Sequence, residues 1–380
     1  MFSYWEQQSF CHYDHIVIGA GIVGLSVALE LRQRYPAASV LVLERGLMST
    51  GASSRNAGFA CMGSVSELLD DLVHTPEDEV IRLFAARKKG LELLRQRLGD
   101  QVIGYEANGS YELINSDPER VFAQLERLNQ MLLPVTGSPA FCRADDRIGD
   151  FGFDTTFTKG LIRNNGEGAL HTGKMLRALS DLALSSGIEI KTGAPVSRFE
   201  EEKDQVCVCV PDPYRGQDWH LYARNLVICT NAFTRQLLPD EDVTPGRGQV
   251  LITEPVPGLK FKGIFHFGEG YYYFRELDGR VLFGGGRNLD FGTETTTELA
   301  LNDHIQQQLE HYLAQVILPG TAFRIAQRWS GIMAFGPTKT PVVRAFSERV
   351  FGAFRMGGMG VALGSEVAAR LANEMVNVAW

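Results

Sequence analysis

Six residues near the N-terminus, Gly19-Ala20-Gly21-Ile22-Val23-Gly24, together with the acid Glu44, twenty positions past Gly24, have types and spacing suited to gripping a phosphate-linked adenine nucleotide. Each glycine has its own task. Gly19 admits a tight turn, Gly21 lets the main chain approach a pyrophosphate, and Gly24 lets a helix pack closely on the strand before it. Ile22 and Val23 open that helix, whose unpaired N–H groups and partial positive charge favour an anion. Glu44 accepts hydrogen bonds from ribose hydroxyls and repels a 2′-phosphate, which disfavours NADP. The fingerprint alone leaves FAD and NAD both open.

A second group follows Glu44. Residues 45–58 are polar and glycine-spaced, without a helical or strand period, and Ser53, Ser54 and Asn56 are short donors for a pyrophosphate or ring edges. Such a loop can track an extended cofactor; a solvated surface loop is the other reading of the same composition.

These groups need elements to hold them. Residues 15–18 read as a short buried strand, 22–34 as a helix and 40–44 as a second strand, a βαβ unit that places the glycines at a strand-to-helix turn. Helical patterns follow at 77–98, 119–132 and 171–186, the last ending on Gly187 and leading to strands at 189–191 and 226–229. Between 246 and 289 the texture changes to β-branched and aromatic runs, with 271–275 and 280–284 flanking the turn Glu276-Leu277-Asp278-Gly279 as an antiparallel hairpin. A helix at 300–316, a strand at 340–346 and a terminal helix at 360–378 complete the pattern. The expected fold is α/β with an α+β second part: a Rossmann-like domain from 1–85, 150–235 and 325–380, interleaved with a substrate-binding domain from 86–149 and 236–324 built on a mostly antiparallel sheet.

Composition narrows the function. The 380 residues include 40 glycines, about thirteen more than the ordinary frequency of about 7% gives, yet hydrophobic residues at 44% exclude a disordered or collagen-like chain. A net charge of −8 without a Lys/Arg block argues against nucleic acid and anionic membranes as partners. Cys11, Cys61, Cys142, Cys207, Cys209 and Cys229 are scattered without CxxC or histidines at metal spacing, so no metal site and no disulfide framework are expected, and a reducing cytoplasm fits best. The apolar run 16–29 lacks a basic flank and a cleavage site, which counts against a secretory signal, and is too short to span a bilayer.

The glycine fingerprint, Glu44 and Gly51-Ala52-Ser53-Ser54-Arg55-Asn56-Ala57-Gly58 resemble the N-terminal half of the D-amino acid oxidase/sarcosine oxidase superfamily, which includes glycine oxidase. The loop is similar to that of γ-glutamylputrescine oxidase-like members. Arg247-Gly248-Gln249, Trp329-Ser330-Gly331 with Thr340-Pro341, and Gly357-Gly358-Met359-Gly360-Val361 resemble the later landmarks in the right order, so the likeness covers nearly the whole chain. It implies FAD held by Gly19, Gly21, Ile22, Val23, Gly24, Glu44, Arg45, Ser53, Ser54, Arg55, Asn56 and Ala57, with Val196 at the adenine and Thr230 near the cofactor's middle. Gly358, Gly360, Val361 and Ala362 would meet the flavin, where a helix N-terminus suits the negative charge that builds at N1–C2=O.

The implied reaction is oxidation of a C–N bond by hydride transfer to flavin N5, giving an imine, with oxygen or an electron carrier as final acceptor. Departures from the family pattern matter. Positions that carry a covalent flavin link in some members fall near Gly331 and at Arg55, so FAD is expected to be non-covalent. The lysine that aids oxygen falls at about Leu282, and the lysine near the flavin at Ala362, which leaves a dehydrogenase or an electron-transfer flavoprotein subunit as the alternative. The carboxylate-binding arginine of glycine oxidases aligns to Met333, with Arg55, Arg275 or Arg328 as substitutes. For the substrate, Tyr271-Tyr272-Tyr273-Phe274-Arg275 offers two faces, Tyr271, Tyr273 and Arg275 on one and Tyr272 and Phe274 on the other, with His266 just upstream. Tyr272, Tyr273, Arg275, His266 and Met333 are thus the candidate reaction-site residues for a small amine or amino acid.

Overall fold

A computed structural model describes residues 3–214 and 216–378. Strand His12–Ile18 is buried from His15 onward and strand Val40–Leu43 throughout, as expected of runs that lie in the middle of a parallel sheet with helices on its faces. Their sheet has the order Val342–Ala345, Val350–Phe354, Gln217–Ile228, His12–Ile18, Val40–Leu43, Glu189–Lys191. All neighbours are parallel except the first pair. The expected strand at 226–229 is the inner end of Gln217–Ile228, whose outer half continues into an antiparallel ribbon with Val206–Asp212 and Arg198–Glu201.

Helix Ile22–Arg34 follows the first strand, and the terminal helix Gly360–Val378 packs against it so closely that a Cβ on Gly364 would lie 2.6 Å from Ile22 Cγ2. The long helix Glu77–Leu98 crosses the terminal helix at Gly90, where a Cβ would lie 2.0 Å from the Ala362 carbonyl oxygen. The helix expected over 119–132 is broken into Pro118–Phe122 and Leu125–Thr136, which lets Phe122 and Leu125 enter one core. That expected over 300–316 becomes Asp303–Tyr312, capped by the Asn302 side chain and continued by one wider turn, Leu313–Ile317.

The second sheet runs Ile325–Phe335, Thr244–Thr253, Arg280–Gly285, Tyr272–Leu277, Ile264–Phe267, Ser110–Ile114, Gly160–Asn164, Phe141–Arg143. It is antiparallel apart from the ladder between Ile264–Phe267 and Ser110–Ile114. Strands Gly160–Asn164 and Ile325–Phe335, which fall in the ranges expected for the Rossmann-like domain, pair here. Ile325–Phe335 follows Thr244–Thr253 for almost its whole length, and that long ladder places it. The expected hairpin forms with a two-residue turn, since Leu277 pairs with Arg280 and both Asp278 and Gly279 have positive φ, as a type I′ turn requires.

The period of two gives this sheet two different faces. One carries Phe265, Phe267, Tyr272, Phe274 and Phe283 in an aromatic core, in which Phe265 and Phe274 stack at 4.8 Å. The other looks toward the first sheet. Beneath the strands, Arg247 and Glu294 form a buried pair at 2.8 and 3.0 Å, and Gln249 and Asn302 donate to the same carboxylate at 3.0 and 2.9 Å. Removing one partner of a buried pair leaves an uncompensated charge. Glu294→Ala is therefore expected to cost about 3 to 5 kcal/mol of stability, read as an earlier midpoint in urea unfolding.

Candidate functional site

A cavity of about 700 Å³ lies between the two sheets. One wall of it is the first strand-to-helix turn. Gly19 has φ 104°, and a Cβ there would lie 2.7 Å from the Cys229 carbonyl oxygen; one on Gly24 would lie 1.8 Å from the Gly19 carbonyl oxygen. Gly24 thus serves packing and does not line the cavity, whereas Gly19, Gly21, Ile22 and Val23 do. Helix Ile22–Arg34 begins after Gly21 without a side-chain cap, so its first turn faces the cavity; Ile22 N–H donates to Ser53 Oγ at 3.0 Å.

Glu44, at the end of Val40–Leu43, is buried and accepts from the backbone N–H of Ala20 and of Gly46, each at 3.0 Å. Arg45 lies over the Phe233 ring at 3.6 Å, and Val196 and Thr230 line the same stretch. Residues expected to be irregular contain one helical turn, Ala52–Arg55, which directs Ser53 inward and Ser54 outward. Ser54 is exposed, donates to the Gly51 carbonyl at 3.2 Å and does not reach the cavity, a correction to its expected role. Arg55 donates to the Thr50 and Ser330 carbonyls, each at 2.9 Å, and the Trp329 indole donates to the Arg55 carbonyl at 3.0 Å, so this loop is fastened to the second sheet. Asn56 and Ala57 line the cavity beside it.

At the other end, Gly357 and Gly358 have φ 55° and 83°, and Gly360 opens the terminal helix; Gly358, Gly360, Val361 and Ala362 all line the cavity. Met333 packs on this turn, its Sδ 3.5 Å from where a Gly358 Cβ would be. Opposite stand His266 and Tyr273, partners across two antiparallel strands, with the Phe59 ring edge-on to both at 5.2 and 5.6 Å. Burial pushes the His266 imidazole down to about 4 and the Tyr273 phenol up to about 12, so both are neutral near pH 7. His266 Nε2 has no hydrogen-bond partner among the described residues.

Two candidates belong elsewhere. Tyr272 points into the aromatic core, stacked on Phe267 at 4.8 Å, because the strand's alternation sends it to the face opposite Tyr273. Arg275 shares the face of Tyr273 but lies past the cavity, donating to the Leu170 and Gly58 carbonyls at 2.7 and 3.2 Å, so it anchors the loop after Asn56. Arg328 is paired with Glu310 at 2.8 Å, away from the cavity. Arg287, Phe335 and the segment around Cys61 and Glu67, not expected from the sequence, also line the cavity wall. The signal for Arg287 was Gly284-Gly285-Gly286 directly before it. On the outer ribbon, ligand atoms of Cys209, Asp218 and His220 lie within 4.8 Å of one another, but the Arg198 guanidinium already pairs with Asp218 at 2.5 Å.

The family described as DAO, FAD dependent oxidoreductase, matches residues 14–374. The chain belongs to this family. A probable oxidoreductase, OrdL, of Haemophilus influenzae is 23% identical over 393 residues, covering 96% of this chain and 83% of the relative. The fold is shared with glycine oxidase from Geobacillus kaustophilus (TM-score 0.76, 20% identity, 97% of this chain and 95% of that one) and with L-proline dehydrogenase from P. horikoshii (TM-score 0.76, 18%, 96% and 94%). Among the described residues, no helix is long and apolar enough to cross a membrane.

The family's FAD fits the residues present. Two helix N-termini reach one cavity, Gly21 has no side chain where Ser53 stands, and Glu44 closes the end where a ribose would lie. A Cβ on Gly21 would already be 2.8 Å from Ser53 Oγ, so Gly21→Val should reduce bound FAD from about one per chain to near zero with far-ultraviolet circular dichroism preserved; flavin absorbance after desalting measures it.

The wall from Cys61 to Glu67 rests on two buried carboxyls. Glu167 accepts from the N–H of Met62 and Gly63 at 2.6 and 3.3 Å, and Glu112 from the N–H of Val65 at 2.8 Å. Burial raises both to about 7 against the lowering effect of these bonds. A raised folded value means stability that is present below the unfolded value of 4.5 and lost as pH rises through 7. Glu167→Gln, which keeps an acceptor without the charge, should therefore gain on the wild type in thermal midpoint as pH rises from about 5 to 8.

Proposed function

We propose that the protein oxidises the C–N bond of a small amine or amino acid, with FAD held non-covalently between Gly19 and Ala362 and the substrate between the flavin turn and the wall of His266 and Tyr273. The observation that carries this is the neutral, unpartnered imidazole of His266 in an aromatic wall. Bound in the cavity, FAD supplies the oxidant that takes hydride from the carbon next to nitrogen. The chain's own residues do the rest. The carbon next to nitrogen can act as donor only when the amine is uncharged, and the neutral His266 Nε2, which has no partner among the described residues, offers that amine a hydrogen-bond acceptor. Tyr273 stays protonated and donates through its hydroxyl, while Phe59 and Tyr273 exclude water, which strengthens each polar contact.

Non-covalent binding is supported by the positions of Arg55 and Gly331, which touch, a Gly331 Cβ falling 3.1 Å from Arg55 Cβ, and neither of which offers a nucleophile. Neighbours in structure include an iminodiacetate oxidase from Chelativorans sp. BNC1 beside the glycine oxidase and proline dehydrogenase, a set consistent with chemistry at nitrogen. A second reading concerns the acceptor. Leu282 is buried against Val250 and Trp329, so no cation stands at the position associated with oxygen use, which favours an electron carrier. Cysteines free of disulfides fit a cytoplasmic location.

The test is anaerobic mixing of the purified yellow protein with N-methyl amino acids, D- and L-amino acids and polyamines. The true class bleaches the flavin band, and a chain that cannot take up FAD overturns the reading. Peroxide on admitting air separates an oxidase from a dehydrogenase. His266→Ala should keep its FAD and lose about 100-fold or more in kcat/KM at pH 7.

A further inference from the structure

The outer ribbon of the first sheet gathers metal-ligating side chains that take no part in the cavity. Strands Arg198–Glu201, Val206–Asp212 and Gln217–Ile228 run antiparallel there, and Cys209 is the register partner of Arg198 on one side and of His220 on the other. Asp218, two residues before His220, shares its face. One ligand atom each from Cys209, Asp218 and His220 thereby comes within 4.8 Å of the other two. On the opposite face Val206, Val208 and Val210 are packed into the core, which fixes the backbone beneath the three ligands. No linear motif marks the site, because cross-strand register, and not separation in sequence, joins them.

The donor set is chemically selective. A thiolate, an imidazole and a carboxylate together suit a borderline cation such as Zn²⁺, whereas Mg²⁺ and Ca²⁺ prefer oxygen ligands throughout. Three protein ligands leave the fourth tetrahedral position to water. Burial raises the Cys209 thiol, while the Arg198 guanidinium and a hydrogen bond from Cys207, on the same face, act in the opposite sense; a bound cation completes the deprotonation. His220 is exposed, and its ring has no hydrogen-bond partner among the described residues. Arg198 stands in as the cation on Asp218 at 2.5 Å, but it is half-exposed and already reaches Glu200 at 3.4 Å. An exposed ion pair holds weakly, so Arg198 can turn to Glu200 and yield Asp218 to a doubly charged competitor.

We propose that Cys209, Asp218 and His220 form a binding site for a divalent cation of the zinc class, on the outer ribbon and apart from the cavity. The bound ion ties Val206–Asp212 to Gln217–Ile228 and stabilises the folded chain by mass action. The site is independent of the chemistry proposed for the cavity.

The test uses metal-stripped yellow holoenzyme under reducing conditions, with Co²⁺ as the probe, Zn²⁺ as competitor and Mg²⁺ as control. Expected is a single Co²⁺ per chain with the intense d–d bands of four-coordinate thiolate ligation, read to the red of the flavin absorption, displaced by Zn²⁺ and untouched by Mg²⁺. Affinity should fall about 100-fold or more in Cys209→Ser and in His220→Ala, beyond what loss of a supporting hydrogen bond costs. In Arg198→Ala it should rise up to about fivefold, the worth of one exposed ion pair. Cys142→Ser, which removes the exposed thiol, should leave the bands unchanged, and FAD content should be the same in every variant. Zn²⁺ should raise the thermal midpoint of the wild type and not of His220→Ala, a variant at an exposed position that reads the site even where Cys209→Ser fails to fold. Absence of the bands, octahedral Co²⁺ bands without sulfur, bands that survive His220→Ala, or bands that vanish in Cys142→Ser would each overturn the assignment, whatever substrate the cavity takes.

Discussion

The carbonyl oxygen of Gly19 occupies the space that any side chain on Gly24 would need, at 1.8 Å from the position of its Cβ. That contact holds helix Ile22–Arg34 against the end of strand His12–Ile18 and aims its open N-terminus at the cavity. Much of the site is built outward from there. The terminal helix packs on the same helix through Gly364, and the long helix locks the terminal one through Gly90. Two positive helix ends are thereby held facing one space by glycine contacts too close for any side chain.

The second sheet answers this with a wall of unequal faces. Its buried face is an aromatic core that fixes the strands, while its cavity face carries few polar groups, among them the neutral His266 and Tyr273. The cavity therefore combines aromatic cover with a few neutral hydrogen-bonding groups on its second-sheet wall.

The sequence made the dinucleotide end legible because its constraints are local: Gly19, Gly21 and Gly24 act through the main chain within a single turn, and Glu44 follows at the end of the next strand. Ser54 departs from expectation for an equally local reason, as a helical turn at Ala52–Arg55 rotates it away. The substrate end depends on long-range choices. Alternation separated Tyr272 from Tyr273 correctly, but with aromatic residues on both faces nothing nearby says which side meets the core. The arginines show the same limit. Arg275, Arg328 and Arg287 differ in what distant segments offer them: two carbonyls, a glutamate and an aromatic ring.

Arg55 and Trp329 exchange bonds across the sheets, the guanidinium reaching the Ser330 carbonyl and the indole reaching the Arg55 carbonyl. The loop along the dinucleotide and the strand that carries Met333 and Phe335 are consequently one mechanical unit. Whatever stiffens either end stiffens the other, and such coupling is reciprocal: to the extent that a loaded cofactor improves the substrate's hold, the substrate must slow the cofactor's escape by the same free energy. Trp329, which does not line the cavity, thus fastens a segment that does to the second sheet.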